Sequence, residues 1–292
     1  MPPQPADRSA PPPGESSHRP DVSVISPVYR NRDTILELCK RVSGAFSATA
    51  TTWELILVID SCPDRSEELL QEISKRYPSV RGVYLPENQG QNRAVLWGLT
   101  RSRGRRIAVL DADLQDPPEA LPEMLATLDQ TGAQLMFARR TGQWTSAGRS
   151  CTSRLFKAIL WGASGGRIPV DAGLFLVGDR CIAKFLLDTP FVAPYLMSRL
   201  ARYRGRVASV SVTRNKRALG TSAYNSGMRL RLALRGLLQL TNLPFEADLR
   251  RPQPWRGQVI PIDQSPPDAE GSAGNVDPSP ASSGRALFQI WS

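Results

Sequence analysis

Histidine is all but missing from this sequence of 292 residues: the single copy, His18, sits in a Pro/Ser-rich stretch. A Ser-His-Asp or Cys-His catalyst is thereby nearly excluded, and so is a metal held by imidazoles. Cysteine is scarce too. Cys39, Cys62, Cys151 and Cys181 are far apart and form no CxxC pair, so free thiols are expected rather than a zinc site. Any metal must then bind through oxygen. No run of about 18 residues is free of charge, so no membrane-spanning helix is expected. The opening MPPQPADRSAPPPGESS lacks the apolar core of a signal peptide, which makes a cytoplasmic location the expectation. No zinc finger, RNP motif or basic helix with heptads is present, so nucleic acid is not an expected partner.

What is present is a basic globular chain. The net charge is +10, with 41% hydrophobic and 22% charged residues. Such a balance fits plain solubility, a phosphate-rich substrate or an anionic membrane surface. Residues 1–20 and 246–292 are rich in Pro and Ser and are expected to be disordered. Between them, 21–225 reads as one domain, followed by an amphipathic segment over 226–245. Strands are predicted at 22–26, 54–59, 80–85, 106–110 and 133–138. Helices are predicted at 33–46, 65–76, 91–101 and 119–130, with Asp33 and Asp64 as caps. This alternation implies α/β architecture, with βαβ units building a parallel sheet covered on both faces. In such sheets ligands bind outside the carboxyl ends of the strands.

One stretch at that edge stands out: VLDADLQDPPE, Val109 to Glu119. In extended backbone Asp111 and Asp113 point the same way, with Ala112 turned to the core. Two like charges on one face repel unless a cation sits between them. Mg²⁺ or Mn²⁺ takes oxygen ligands and bridges a carboxylate to a diphosphate, and Gln115 adds a neutral oxygen of the same parity. A strand end followed by an acidic turn is the plain alternative. Asp60, closing the second strand, suits a base or ribose contact. Pro27-Val28-Tyr29 offers an aromatic face. Asn88-Gln89-Gly90-Gln91-Asn92 puts amides at a helix N-terminus, suited to phosphate or a base edge, or simply to a capped turn.

These pieces together resemble the family 2 inverting glycosyltransferases of GT-A fold, a Rossmann-like and mostly parallel sheet flanked by helices. Within them the chain looks most like the polyprenyl-phosphate glycosyltransferases, which include dolichyl-phosphate mannose synthases. The matching runs are SVISPVYRN (23–31), ELILVIDSCPD (54–64), NQGQNRAVLWGL (88–99), DADLQDPPEALPEML (111–125), FARRTG (137–142), SRLFK (153–157) and RALGTSAYN (217–225). The resemblance implies that Asp111, Asp113 and Gln115 hold the metal and diphosphate, and that Pro27, Tyr29 and Asp60 line the nucleotide pocket. Gln91 and Arg139 are assigned to the donor with them. Arg217, Gly220 and Ser222 belong to a late loop that closes over donor diphosphate and acceptor phosphate. Two positions depart from the family pattern. Leu176 stands where the segment Asp-x-Gly-x-Phe-Arg-Leu has its arginine, and Ala223 precedes Tyr224 where a lysine is common.

The expected reaction is inverting transfer of a sugar from a nucleotide diphosphate, UDP before GDP, with Mg²⁺ or Mn²⁺. The expected acceptor is a polyprenyl phosphate; the alternative is a soluble small molecule or natural-product scaffold. A hydroxyl acceptor needs a general base, for which Asp171 is the candidate. Further alternatives are a non-catalytic nucleotide-sugar binder and a nucleotidyltransferase. Close relatives acting on bacterial lipid carriers carry two membrane helices after the catalytic domain. Here SGMRLRLALRGLLQLTN (226–242) interleaves Leu and Met with Arg229, Arg231 and Arg235. It would either lie on an anionic bilayer, giving peripheral contact at the inner face of the membrane, or pack on the core.

Overall fold

The computed structural model describes residues 19–141, 158–188 and 195–215. The late loop with Arg217, Gly220 and Ser222, the 226–245 segment, the C-terminal tail and residues 1–18 of the N-terminal tail lie outside the described residues.

The longest apolar runs form the middle of the sheet. β1 (Val22–Val28) is buried at all seven positions, and β2 (Trp53–Asp60) at all but its first. Runs with no polar alternation are what strands covered on both faces require. β3 (Val80–Leu85), β4 (Arg106–Val109), β5 (Leu135–Thr141), β6 (Ala172–Asp179) and β7 (Val207–Thr213) complete a seven-stranded sheet of order β3-β2-β1-β4-β6-β5-β7. β1, β2, β3 and β4 are mutually parallel, as are β5 and β7. β6 runs antiparallel between β4 and β5. The sheet is therefore mostly, not wholly, parallel.

Helices cover both faces. α1 (Arg32–Ser47) buries Ile35, Leu38, Cys39, Val42 and Phe46, an i, i+3/i+4 stripe. It shares one core layer with α2 (Ser66–Arg76) and α4 (Leu121–Thr131). α3 (Gln91–Arg101), the helical turns at 158–163 (α5), α6 (Arg180–Asp188) and α7 (Leu196–Ala201) cover the other face. Among the described residues no helix is long and apolar enough to cross a membrane.

Two cap assignments change. Asp33 lies in the first turn of α1 and makes no cap bond, and α2 has no side-chain cap. Asp64 reaches instead across to the start of α1, where its Oδ2 accepts from the Arg32 amide at 3.1 Å. The sequence places Asp64 next to α2, and its Oδ1 does accept from the Ser66 hydroxyl at the start of that helix, but with Arg65 in a left-handed conformation (φ 58°) the carboxylate caps no amide of α2.

β4 also ends early. The ladder stops at Val109, and residues 112–113 form a turn. Yet burial still alternates: Leu110, Ala112, Leu114 and Asp116 are buried while Asp111, Asp113 and Gln115 are half-exposed. The apolar members of the alternation pack into the α1/α4 layer. The expected sidedness is thus kept by burial rather than by strand geometry.

Candidate functional site

Sheet order reverses at β1, which pairs with β2 on one side and β4 on the other. A crevice opens at such a switch point, outside the carboxyl ends of the strands. All four described non-glycine residues with positive φ lie in loops at this edge: Arg30 after β1, Ser61 and Arg65 after β2, and Leu114 after β4. Left-handed backbone at ordinary residues costs energy and concentrates at functional loops.

β1 delivers Pro27 and Tyr29. Pro27 is buried opposite Val58, beyond the last β1–β4 rung at Ile25, a place that tolerates a residue without an N–H. The Tyr29 ring packs partly on the core, and the Arg30 guanidinium lies 5.3 Å from its centroid. The aromatic face expected here is therefore shared with a cation.

The Asn88–Asn92 run is built differently from expectation. Asp60 at the end of β2 is 2% exposed, and its two oxygens accept from the amides of Gln89 (2.7 Å) and Gly90 (2.8 Å). The anion expected at this helix start is supplied by the protein itself. Asn88 Nδ2 donates to the Asp60 carbonyl, and Trp97 Nε1 donates to Gln89 Oε1 at 3.1 Å. Gln91 donates to Asp111 Oδ1. Asn92 Oδ1 accepts from the Leu196 amide at 3.1 Å, capping α7. Every residue of the run is tied to another element, which makes it a clamp joining β2, β4 and α7. Gly90 has φ 82°, a conformation that side chains resist, so glycine belongs there. Burial pushes the Asp60 carboxyl above its ordinary range, and the two amides pull the other way without cancelling it.

Asp113 Oδ1 accepts from the Gln115 amide at 3.1 Å, and Thr34 Oγ1 from α1 donates to the Ala112 carbonyl at 2.6 Å. These bonds fix the DAD turn with Asp111, Asp113 and Gln115 on its half-exposed side. The donor set is all oxygen and suits a hard divalent cation. Among the described residues no three acidic, Cys or His side chains cluster into a ready-made cage. One or two carboxylates completed by substrate phosphates is how Mg²⁺ is commonly held, so the residues fit that arrangement.

Antiparallel β6 matters because it starts where its neighbours end. Its register with β4 pairs Val109 with Leu176, which leaves Asp171 and Ala172 at the carboxyl edge. On the other side Arg139 pairs with Ala172 after a bulge, a feature that re-aims side chains. Arg139 Nε consequently lies 3.5 Å from Asp171 Oδ1. That oxygen is buried and makes no hydrogen bond among the described residues. Both residues border a cavity of about 550 Å³, lined also by Trp161, Arg167, Val170 and Ser209. Leu176, where the arginine of the pattern would stand, is 2% exposed and packs in the α3/α6 layer. Sequence reasoning reached Asp171 but not β6, Trp161 or Arg167. The signal for β6 was the apolar run LFLV directly after it.

Residues 23–182, more than half of the chain, match the profile of Glycosyl transferase family 2. The chain belongs to this family. Similar curated proteins include the "Uncharacterized glycosyltransferase YkcC" of Bacillus subtilis, 28% identical over 77% of this chain and 69% of that protein. The undecaprenyl-phosphate 4-deoxy-4-formamido-L-arabinose transferase of Pseudomonas aeruginosa is 34% identical over 72% of this chain, which spans 61% of that relative's length. Among solved structures, the glucosyl-3-phosphoglycerate synthase of Mycobacterium tuberculosis in complex with Mn²⁺, UDP and glucosyl-3-phosphoglycerate superposes with TM-score 0.57 at 19% identity, covering 77% of this chain and 81% of that one. The mannosyl-3-phosphoglycerate synthase of Rubrobacter xylanophilus gives 0.59 at 18% identity, covering 80% and 78%. At these identities the likeness is one of fold, and the fold is GT-A. This family 2 glycosyltransferase thus carries its DAD turn, its Asn88–Asn92 clamp and Asp171 along one edge of a GT-A sheet.

Proposed function

We propose that this glycosyltransferase moves a sugar from a nucleotide diphosphate, a UDP-sugar before a GDP-sugar, onto a polyprenyl phosphate with inversion at the anomeric carbon. The observation that carries the reading is the DAD turn at the switch point, with Asp111, Asp113 and Gln115 on its half-exposed side. Several similar proteins are named as undecaprenyl-phosphate sugar transferases, and a structural neighbour is described with UDP and Mn²⁺.

Asp113, with Asp111 and Gln115, would hold Mg²⁺ or Mn²⁺ against the diphosphate. When bound, the cation supplies Lewis-acid stabilisation of the leaving phosphate charge. Gln91 fixes the Asp111 carboxylate, and Asp60 holds the clamp that positions Gln91. Pro27 and Tyr29 form the floor and wall of the nucleotide pocket. Arg139, and Arg217 and Ser222 from the late loop, add positive charge and a hydroxyl near the phosphates. The sugar carbon passes through an oxocarbenium-like state and the acceptor oxygen attacks from the opposite face. A phosphate acceptor is already anionic and needs orientation rather than deprotonation.

A soluble hydroxyl acceptor is the second reading. It is favoured by buried Leu176 in place of an arginine and by Asp171 Oδ1, which borders a cavity and has no hydrogen bond among the described residues. In that case Asp171 takes the hydroxyl proton as the new bond forms. The deciding experiment incubates the protein with UDP- and GDP-sugars, Mn²⁺ or Mg²⁺, and either undecaprenyl phosphate or a small-molecule extract, and reads products by mass spectrometry. A glycosyl phospholipid supports the first reading and a glycosylated soluble product the second. Absence of both overturns the transferase reading of the site.

A further inference from the structure

The large hydrophobic side chains that stand exposed among the described residues are Ile159, Trp161 and Val170, at 37%, 51% and 50%. All three fall within α5 and the stretch that joins it to β6, and Trp161 and Val170 line the cavity of about 550 Å³ beside Asp171. Scattered singly, exposed apolar residues need no explanation; gathered at a cavity they mark a binding surface. A closely wired turn sits between them. Gly166 donates its amide to the Trp161 carbonyl at 2.8 Å and Gly165 to the Gly162 carbonyl at 2.9 Å, with φ of 77° and 66°, the pair of bonds that ends a helix in left-handed glycine. Ser164, 1% exposed, donates its hydroxyl to the Trp161 carbonyl at 2.8 Å and accepts with it from the Ile168 amide at 3.0 Å. The Trp161 ring lies back on this turn: a Cβ on Gly166 would stand 3.5 Å from it.

Charge stands next to this apolar wall. Arg167 Nε donates to the Ser164 carbonyl at 2.7 Å, which ties the guanidinium to the turn. Its two outer nitrogens make no hydrogen bond or ion pair among the described residues. Arg139, the other cation of the lining, is offset by Asp171 at 3.5 Å, so Arg167 carries the net positive charge of the described lining. A guanidinium held by its Nε presents the remaining N–H groups as a planar fork, the donor geometry that suits phosphate oxygens. An indole, a valine and this fork around one cavity match a ligand that is anionic at one end and apolar along the rest. A soluble sugar or acid would make no use of the apolar wall. The volume lies within the roughly 300–1,000 Å³ of small-molecule sites, room for an anionic head and the start of a chain that leaves across Trp161 and Val170. We infer that this cavity binds a phosphate monoester of an apolar chain, with Arg167 holding the phosphate and Trp161 and Val170 the chain. Calling that ligand the acceptor rests on the proposed function, since Asp171 and Arg139 place the cavity at the sheet edge to which the donor is assigned. The binding site itself does not depend on that reading.

Farnesyl phosphate, inorganic phosphate and farnesol are the probes, each titrated calorimetrically into the full chain, with UDP and GDP plus Mn²⁺ titrated separately. The wild type should bind farnesyl phosphate at least about tenfold more tightly than either inorganic phosphate or farnesol, a difference of about 1.4 kcal/mol or more. Arg167→Gln should weaken farnesyl phosphate by about tenfold and leave farnesol almost unchanged, and Arg167→Lys should recover part of the loss through its charge. Trp161→Ala should weaken farnesyl phosphate by about five- to tenfold through lost apolar contact, while inorganic phosphate binds as before. Trp161 is half-exposed, so its removal leaves the fold intact and keeps the inference testable should Arg167→Gln unfold. Equal binding of inorganic phosphate and farnesyl phosphate would reduce the cavity to an anion site. Equal binding of farnesol would reduce it to an apolar patch. Farnesyl phosphate affinity unchanged in both variants would put the ligand elsewhere, and each of these three results overturns the inference. A wild type that binds UDP but not farnesyl phosphate removes the inference alone. A wild type that binds farnesyl phosphate through Arg167 and Trp161 but neither UDP nor GDP removes the donor reading and leaves the cavity standing.

Discussion

Glu54 and Asp60 stand near opposite ends of β2, 3% and 2% exposed, and the protein treats them in opposite ways. Glu54, at the amino end, accepts from Ser23 Oγ (2.6 Å), the Arg103 amide (2.7 Å) and Arg81 Nη1 (2.7 Å), with Arg103 Nε at 3.4 Å. Desolvation pushes its carboxyl up, but the hydrogen bonds and the Arg81 charge outweigh this and hold it below its ordinary range. Asp60, at the carboxyl end, is held by two backbone amides, and there burial prevails. Arginine pairs recur around the amino edge: Arg105 with Asp21, whose carboxyl falls to about 2, and Arg106 with Asp129 and Asp179. One edge is closed by neutralised charge. At the other edge Asp60 is held by two backbone amides, while Asp171 has Arg139 at 3.5 Å.

The sharpest way to break this comparison is to remove a carboxylate from each edge. Asp113→Asn should lower transfer by roughly a hundredfold or more, with the melting temperature within about a degree or two of wild type, since surface-side substitutions change stability by only about 0.5 kcal/mol. Glu54→Ala should do the reverse. It leaves the Ser23 hydroxyl buried without its acceptor, at about 1–3 kcal/mol, whereas the Arg103 amide keeps Ser23 Oγ at 3.1 Å and the exposed guanidiniums regain water. A urea midpoint shift equivalent to about 1–3 kcal/mol, with donor KM unchanged in the folded fraction, is the expected result. A fully active Asp113→Asn enzyme would sink the metal assignment, and a stable Glu54→Ala protein would sink the structural role of the amino edge.

Gly104→Ala sharpens the same edge without touching charge. A Cβ there would stand 2.4 Å from the Ser23 backbone nitrogen and 2.7 Å from the Arg106 carbonyl, atoms that cannot swing away. Gly104 also donates its amide to Ser23 Oγ at 2.7 Å, the hydroxyl that binds Glu54. The substitution is expected to cost about 1–3 kcal/mol by overpacking, measured by urea unfolding. A cost near zero would mean that the Ser23–Glu54 network is free to shift.

The two edges were not equally legible in the sequence. β1 through β5 and helices α1 to α4 showed in their patterns because strands covered on both faces are continuous apolar runs and helices keep an i, i+3/i+4 stripe. Asp111, Asp113 and Gln115 were found by alternation, which survived although the strand had already ended. What the pattern could not show was partnership across distant sequence. Asp64 caps α1 rather than α2, Asn92 caps α7 a hundred residues on, and Asp60 consumes the amides that a phosphate was expected to use. β6 was missed although the run LFLV marks a strand; its antiparallel direction depends on the neighbours it slips between, which no local run encodes. Glu54 drew no attention at all: a lone acid in an apolar strand acquires meaning only when Arg81 and Arg103 fold against it.

The smallest expected effect is the most direct reading of the contrast, because pH acts on both ends of β2 at once. Glu54 has a folded pKa below its unfolded value. Its contribution is complete above the ordinary glutamate pKa and is lost as pH falls through the lowered one. Asp60 has a folded pKa above its unfolded value. From the ordinary aspartate pKa upward the native state holds the extra proton, so stability declines as pH rises through the raised value. Urea midpoints taken from pH 3 to 7 (about the range over which carboxylates titrate) should therefore change shape in opposite senses in two variants. Glu54→Gln should flatten the acid limb. Asp60→Asn loses one of two amide acceptors and is less stable throughout, by about 1–3 kcal/mol, yet it should retain more of its midpoint on going from acid toward neutrality than the wild type does. If both variants altered the same limb in the same direction, the amides at the carboxyl edge would be acting on Asp60 as the arginines act on Glu54, and the division of labour between the two ends of the strand would not hold.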